Sequence, residues 1–244
     1  MRAQNEMMLG VIGGLGPMAT AYFMELITDM TDAATDQEHL RMLIYSAPSI
    51  PDRTRYILDN TCENPLPEML RIGNLLVQQG AQRIAIPCVT AHYFFEELES
   101  GIPVPVINGV RETALHLKNH GITKVGIMAT DGTIKSRVFH RELEKQGIEA
   151  VVPSSHRQAD VMRLIFDDIK AGKPADMQRF ANVAKELQEN GAQAIILGCT
   201  ELSLIKRSHT IGAGFLDAME ILAQQTVLQC GKPLKEKYRS LISK

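Results

Sequence analysis

The chain has 244 residues, 45% of them hydrophobic, and its 26 Lys and Arg against 28 Asp and Glu give a formal net charge of −2 at pH 7. This balance, with the basic residues scattered, argues against a nucleic-acid partner, and no apolar run approaches the roughly 18 residues of a membrane-spanning helix. The N-terminal stretch lacks an apolar core followed by a cleavage site. We therefore expect a cytoplasmic protein, of one large or two smaller domains, that acts on a small molecule.

Short apolar runs alternate along the chain with longer stretches of helical periodicity, which is typical of βαβ units around a parallel sheet. In chain order, strands are predicted at residues 7–12, 42–46, 83–87, 104–107, 124–129, 150–152 and 194–197. Helices are predicted at residues 17–29, 67–79, 134–146, 160–171 and 176–190. The predicted fold class is therefore α/β.

Two stretches of the sequence are similar and each contains a cysteine. GAQRIAIPCVT (80–90) and GAQAIILGCT (191–200) place Cys88 and Cys199 at the same offset after a predicted strand. Because each cysteine follows a strand, the pattern predicts two equivalent turns in two related halves of the chain.

A second pair of stretches, GVIGGLGP (10–17) and VGIMATDG (125–132), runs from a strand into a turn and a helix, at nearly the same separation as the cysteines. The repeat predicts two similar domains related by a pseudo-twofold axis, each with a mostly parallel sheet flanked by helices. We expect the active site in the cleft between them. The predicted domains are residues 1–108 together with 212–244, and residues 109–211.

The four cysteines form no C-x-x-C pair, which argues against a zinc site, a disulfide framework or a redox motif. For Cys62 and Cys230 we expect the usual role of a free cysteine, a small buried hydrophobic side chain. Cys88 and Cys199 are different, because reactive groups in α/β sheets gather at the carboxyl ends of the strands. The helix N-terminus that follows each of them is expected to favour the thiolate.

Two thiols on opposite walls of one cleft suit a particular reaction. Inversion of a carbon that carries hydrogen requires one group to remove a proton from one face and another to deliver a proton to the opposite face. A racemase or epimerase is therefore expected, in which Cys88 and Cys199 exchange the roles of acid and base.

Six motifs occur in one order along nearly the whole chain: GGLGPMAT (13–20), IPDRT (50–54), PCVTAH (87–92), GIMATDGT (126–133), DIKAG (168–172) and LGCTEL (197–202). With these motifs the chain resembles the cofactor-independent aspartate/glutamate racemases, and within them the aspartate racemases most closely. The resemblance implies an aspartate racemase, with glutamate as a second substrate. It also implies that the protein needs neither pyridoxal phosphate nor another cofactor, binds no metal, and forms a homodimer.

The resemblance also implies roles for individual residues. Cys88 and Cys199 would be the acid/base pair, while Arg53 and Lys170 would bind substrate carboxylates. A fork-shaped guanidinium and an ammonium together suit the two carboxylates of an acidic amino acid. The predicted binding set also includes four threonines of these motifs: Thr54, Thr90, Thr130 and Thr200. For the last three, a hydroxyl that caps a helix is the alternative role.

One position departs from the family pattern. The family commonly has asparagine after the first catalytic cysteine, whereas this chain has Val89, which cannot donate or accept a hydrogen bond through its side chain. The substitution leaves the thiol in place but affects the expected substrate specificity. For His92 and Glu201 we expect supporting roles, either beside a thiol or at a helix cap.

Four other functions compete with racemisation. GLGPMA (14–19) matches a dinucleotide-binding fingerprint, but the second predicted strand, RMLIYSAP (41–48), has no acid to hold a ribose. A decarboxylase or a cis-trans isomerase on this architecture would use one catalytic cysteine, whereas this chain keeps two. A non-catalytic amino-acid sensor is the remaining alternative, and Val89 is its main support.

Overall fold

The computed structural model describes residues 7–243, which contain two parallel sheets. The first sheet has the order β2-β1-β3 and consists of β1 (Met8–Gly13), β2 (Arg41–Ser46) and β3 (Arg83–Ala85). The second has the order β5-β4-β6-β7 and consists of β4 (Lys124–Met128), β5 (Glu149–Val151), β6 (Ala194–Leu197) and β7 (Phe215–Asp217). Neighbouring strands in both sheets are parallel. The predicted α/β class is confirmed.

Helices connect the strands and cover the sheets. The α-helices are α1 (Pro17–Met30), α2 (Arg53–Leu58), α3 (Leu66–Gln78), α4 (Phe95–Gly101), α5 (Gly109–Asn119), α6 (Asp131–Ser136), α7 (Val138–Lys145), α8 (Ser155–Arg163), α9 (Met177–Glu189), α10 (Thr200–Ser208) and α11 (Ala218–Gln229). A 3-10 helix spans Val89–Phe94, and a π-helix spans Leu164–Ile169. In the described part of the chain, no helix has the length and apolar character needed to cross a bilayer.

The strand order repeats between the two halves, as the similar stretches of sequence predict. The order β5-β4-β6 matches β2-β1-β3, with β1 and β4 as the central strands. Each central strand leads into a helix, α1 or α6, and the third strand of each set leads into a cysteine turn. Because carboxyl ends of parallel strands lie at one edge of a sheet, each half presents its cysteine at that edge.

The C-terminal segment differs from the predicted domain boundary. Residues 212–244 were expected with the first half, yet β7 pairs with β6 and extends the second sheet. Phe215 and Leu216 are buried and supply the strand, although the run is too short to stand out in the sequence. The following helix, α11, packs against α1 and α5, so the segment contributes to both halves.

Three predicted elements also differ in detail. The helix expected at 134–146 is two helices, α6 and α7, because Arg137 between them has a left-handed backbone with φ of 58°. The strand expected at 104–107 is reduced to a single bridge between Ile84 and Val106. The helix expected at 160–171 is the end of α8 followed by the π-helix.

The largest apolar cluster ties the two sheets together. It contains Val11 of β1 and Ile127 of β4, together with Phe23, Leu117 and Leu222 from α1, α5 and α11. Separate clusters fill the far side of each sheet. Burial of apolar surface is the main favourable term in folding, so the shared cluster fixes the two cysteine-bearing edges relative to each other.

The turn after β1 explains why GLGP begins with glycine. Gly14 has a φ of +90°, and a Cβ there would lie 2.4 Å from the backbone nitrogen of Ala47. The backbone N–H of Gly14 donates to the Thr20 hydroxyl at 2.8 Å. The glycine therefore serves close packing of two backbones, which accounts for the motif without a bound nucleotide.

We expect Gly14→Ala to lower the free energy of unfolding more than Gly121→Ala does. Gly121 also has a positive φ, of +71°, but no atom lies within 4 Å of a Cβ built there. Both substitutions strain the backbone, by roughly 1–2 kcal/mol, and only the first adds a clash, worth about 1–3 kcal/mol. Urea unfolding of the two variants measures the difference, and equal losses would contradict the packing role of Gly14.

Candidate active site

Cys88 lies in the turn that follows β3. Pro87 has no backbone N–H to extend the ladder, and Cys88 then caps the 3-10 helix Val89–Phe94. The cysteine is 7% exposed. The turn thus buries the thiol at the carboxyl edge of the first sheet.

The buried His92 side chain hydrogen-bonds to the backbone of this turn. Its Nδ1 lies 3.1 Å from the carbonyl oxygen of Cys88, and the backbone N–H of Gly109 donates to its Nε2 at 3.1 Å. Because a backbone N–H can only donate, Nε2 is the acceptor and Nδ1 carries the proton. Burial lowers the pKa of His92, which keeps the ring neutral. The ring therefore connects the Cys88 turn to the start of α5.

Cys199 occupies the equivalent turn after β6, where it caps α10 and is also 7% exposed. Its thiol donates to Oε2 of Glu201 at 2.8 Å. Burial raises the pKa of the Cys199 thiol well above its usual value, the charge and hydrogen bond of Glu201 raise it further, and Lys170 opposes them. Cys199 is therefore a thiol at neutral pH, which differs from the thiolate expected at a helix N-terminus.

Lys170 directly follows the π-helix, and its side chain lies beside Glu201. Its Nζ lies 3.8 Å from Oε1 of Glu201 and 4.6 Å from the centre of the Phe166 ring. The ammonium is thus paired with an acid and stacked on an aromatic face. Glu201 joins Lys170 to Cys199 by using one oxygen for each.

Arg53 is a buried cation at the start of α2, only 8% exposed. Its Nη1 donates to the carbonyls of Ile50 and Pro51 at 3.3 and 3.0 Å, and its Nη2 donates to the carbonyl of Leu15 at 3.3 Å. Its Nε is buried without a hydrogen-bond partner. These bonds fix the guanidinium while its charge and one donor stay available to an anion.

Four threonine hydroxyls form a network where the two halves meet. Thr130 lies 3.3 Å from Thr54 and 3.2 Å from Thr90, while Thr133 lies 3.0 Å from Thr90 and 3.1 Å from Thr130. The Thr130 hydroxyl also accepts the backbone N–H of Thr133, as the helix-cap alternative anticipates. The predicted set does not include Thr133, whose backbone N–H and hydroxyl both contact the Thr130 hydroxyl.

One narrow cavity contains all eight residues of the predicted site. Its walls also include Leu15, Asp52, Val89 and Glu201, and the eight predicted residues are Arg53, Thr54, Cys88, Thr90, Thr130, Lys170, Cys199 and Thr200. We call this space the thiol cavity. Its volume is about 10 Å³, roughly room for one water molecule. Among the described residues, no group of His, Cys, Asp and Glu is arranged to hold a metal ion.

The fold and the cavity define a two-sheet α/β protein with a cysteine turn in each half, and comparison with protein families identifies this class. The family model described as Asp/Glu/Hydantoin racemase matches residues 12–226. The chain therefore belongs to this family of racemases, which are isomerases, as the sequence motifs predict.

Individual relatives agree with this assignment. The broad specificity amino-acid racemase RacX from Bacillus subtilis (strain 168) is 29% identical over 229 residues, which cover 90% of this chain and 96% of RacX. Picrophilus torridus aspartate racemase is 32% identical, with a TM-score of 0.85 over 96% of this chain and 99% of that structure. Glutamate racemase from Francisella tularensis subsp. tularensis SCHU S4, in complex with D-glutamate, has a TM-score of 0.66 over 92% of this chain and 80% of that chain. Its 18% identity supports a common fold alone.

We expect Glu201→Gln to move the pH profile of Cys199 alkylation to lower pH. The carboxylate raises the pKa of this thiol, and its removal also leaves the opposing charge of Lys170 uncompensated. Because the thiolate is the reactive form, alkylation at a given pH should become faster. Iodoacetamide labelling followed by peptide mass spectrometry measures the profile, with Glu189→Gln at an exposed ion pair as the control. An unchanged profile would show that Glu201 does not hold the proton on Cys199.

Proposed function

We propose that this protein racemises aspartate without pyridoxal phosphate, and that Cys88 and Cys199 are the acid/base groups. The observation that carries the proposal is that two cysteines on equivalent turns of the two sheets line one cavity. One thiol on each wall suits proton removal from one face of the α-carbon and delivery to the other. Glutamate is the second acidic candidate.

The resting protonation favours one starting state. Cys199 begins as the thiol, because its S–H donates to Glu201, so the proposed reaction begins with Cys88 as the base. The Cys88 sulfur then takes the α-proton while the Cys199 sulfur gives its proton to the opposite face, which leaves a Cys88 thiol and a Cys199 thiolate. The opposite enantiomer runs the same step in reverse.

Arg53 and Lys170 supply the charges for an acidic substrate. The buried guanidinium of Arg53 offers its unpaired Nε–H to one carboxylate, and the Lys170 ammonium lies at the other side of the cavity. In a dry site these charges and the backbone donors of the turns stabilise the carbanion that forms when the α-proton leaves. The thiol cavity is too narrow for an amino acid, so substrate entry requires its walls to separate.

The activities named for two relatives support the choice of an amino-acid racemase. One of the similar solved structures is an aspartate racemase, and RacX is a racemase of broad specificity.

The proposal also includes a cytoplasmic location and a homodimer. Sedimentation equilibrium tests the homodimer, and a fully active monomer would exclude it. The proposed domains are residues 1–108 together with 212–244, and residues 109–211; within 212–244, β7 extends the second sheet and α11 packs against α1 and α5.

We expect Cys88→Ala and Cys199→Ala each to slow formation of D-aspartate by about 10²–10⁴-fold, the usual contribution of a general acid or base. The assay incubates L-aspartate with protein in heavy water, without added cofactor, and follows the α-proton by NMR and the product by chiral chromatography. Cys62→Ala is the matched control, because Cys62 is a free cysteine outside the thiol cavity.

Two results would contradict the two-thiol reaction. The first is D-aspartate formation at the wild-type rate in either cysteine variant. The second is binding of aspartate, glutamate and other amino acids by the wild-type protein without any exchange of the α-proton, which would favour the sensor.

We expect Arg53→Lys to lower kcat/KM for L-aspartate by roughly 10–100-fold, because a hydrogen bond to a charged group contributes about 1.5–3 kcal/mol. Lysine keeps the charge but loses the planar fork and the Nε donor. Arg55→Lys is the control, since Arg55 lies in the same helix with its side chain exposed. If the two variants have equal kcat/KM, Arg53 does not bind the substrate.

A further inference from the structure

A second, larger cavity continues outward from the thiol cavity. Its volume is about 500 Å³, and we call it the outer cavity. Both cavities share five wall residues: Leu15, Asp52, Arg53, Lys170 and Glu201. Because the two spaces meet along this boundary, a substituent on a carbon held between the thiols has room to extend into the outer cavity.

The outer cavity is charged only at that boundary. Its four charged residues are all shared with the thiol cavity, whereas the remaining wall residues are apolar or glycine. The longest of these side chains are Met18, Ile50, Ile169 and Leu204. An apolar side chain placed there would bury its surface favourably against these walls.

The size of the outer cavity points in the same direction. A volume of this order is typical of sites that enclose ligands much larger than a four-carbon amino acid. Aspartate carries one methylene between its α-carbon and its second carboxylate, so it would leave most of the outer cavity to water.

The resting charges also suit a substrate with one carboxylate. Lys170 is already paired with Glu201 at 3.8 Å, so a second substrate carboxylate has to compete with that acid. Arg53 has no such competitor among its described hydrogen bonds, which all go to backbone carbonyls. A neutral amino acid needs Arg53 for its α-carboxylate and leaves the pair of Lys170 with Glu201 intact.

The residue after the first cysteine adds an independent argument. Val89 lines the thiol cavity beside Cys88 and is 8% exposed. Its isopropyl group offers an apolar contact and no hydrogen bond, so binding at this wall does not require a polar group on the substrate.

We infer that the same site also racemises neutral amino acids with long apolar side chains, of which methionine and leucine are the probes, and that this side chain occupies the outer cavity. The inference rests on the proposed two-thiol racemisation. It names a substrate class that the acidic-substrate proposal does not include.

The first experiment compares α-proton exchange in heavy water for L-methionine, L-leucine, L-alanine and L-aspartate with the same wild-type protein. Alanine has the α-carbon chemistry of methionine but no side chain to fill the outer cavity. We expect kcat/KM for methionine to exceed that for alanine at least tenfold, and Cys88→Ala to abolish both. If aspartate exchanges its α-proton but methionine exchanges no faster than alanine, the inference is overturned and the proposed function stands.

The second experiment fills the outer cavity. Leu204→Trp should lower the ratio of methionine to alanine kcat/KM at least tenfold, and the smaller change Leu204→Phe should lower it less. Leu228→Trp, at an exposed leucine of α11 outside both cavities, is the matched control for the same substitution. A ratio that Leu204→Trp leaves unchanged, in a protein with a wild-type melting temperature, would overturn the assignment of the cavity.

A third measurement separates the two proposals if no amino acid exchanges its α-proton. Absence of exchange with all four amino acids would overturn the proposed racemase activity. Calorimetry of the same protein then tests only whether the outer cavity binds an apolar side chain. Methionine binding at least tenfold tighter than alanine, weakened by Leu204→Trp, would support the apolar subsite. Equal or undetectable binding of both would overturn it.

Discussion

The packing of α2 against α6 is the contact on which the site depends, because it joins the two halves beside both cysteine turns. Gly132 makes it possible, since a Cβ there would lie 2.9 Å from the Cα of Thr54. The hydroxyls of Thr54, Thr90 and Thr130 then bond across the junction. Arg53 precedes Thr54 in the chain, so the same contact sets the place of the buried guanidinium. Hydrogen bonds between buried hydroxyls are directional, and they fix this geometry more closely than apolar packing alone.

In the second half, helix α10 holds Glu201 beside the Cys199 thiol. This helix begins at Thr200, carries Glu201 in its first turn, and is anchored by the Ser203 hydroxyl, which donates to Oδ1 of Asp217 at 2.7 Å. Asp217 also accepts the backbone N–H of Met219 and so caps α11. Burial raises the pKa of Asp217, and these hydrogen bonds together with Lys206 oppose that rise. The carboxylate that accepts the hydrogen bond of the Cys199 thiol therefore lies on a helix that is anchored to Asp217.

Much of this arrangement could be predicted from the sequence, because its signals are local. Strands, helix starts and the two cysteine turns follow from short patterns, and the repeat indicates that the turns are equivalent. The membership of β7 in the second sheet could not be predicted, since a three-residue strand is specified by the partner it meets and not by its own pattern. The break at Arg137 could not be predicted either, because a left-handed backbone is uncommon for a residue other than glycine.

Within the site, the sequence predicted which residues meet but not how they differ. The sequence predicts a supporting role for Glu201 beside a thiol or at a helix cap, but it does not reveal that the Cys199 thiol donates to Glu201 or that Lys170 pairs with that acid. These facts depend on side-chain directions and on burial, which change the balance between charge and desolvation. The apolar wall of the outer cavity is similarly invisible, since Met18, Ile169 and Leu204 come from three distant segments.

The difference between the two turns arises two residues after each cysteine, where the first half has Thr90 and the second has Glu201. A hydroxyl in one half and a carboxylate in the other make the thiols unequal before any substrate arrives. In the proposed reaction this inequality cannot favour either direction in kcat/KM, because two enantiomers have equal free energy and the equilibrium constant is one. It can appear only as KM values that differ between the L and D forms, with kcat values in the same ratio. In the proposed reaction Glu201 thus stabilises the form of the free enzyme in which Cys199 carries the proton, while the equal free energies of the two enantiomers keep the overall equilibrium constant at one.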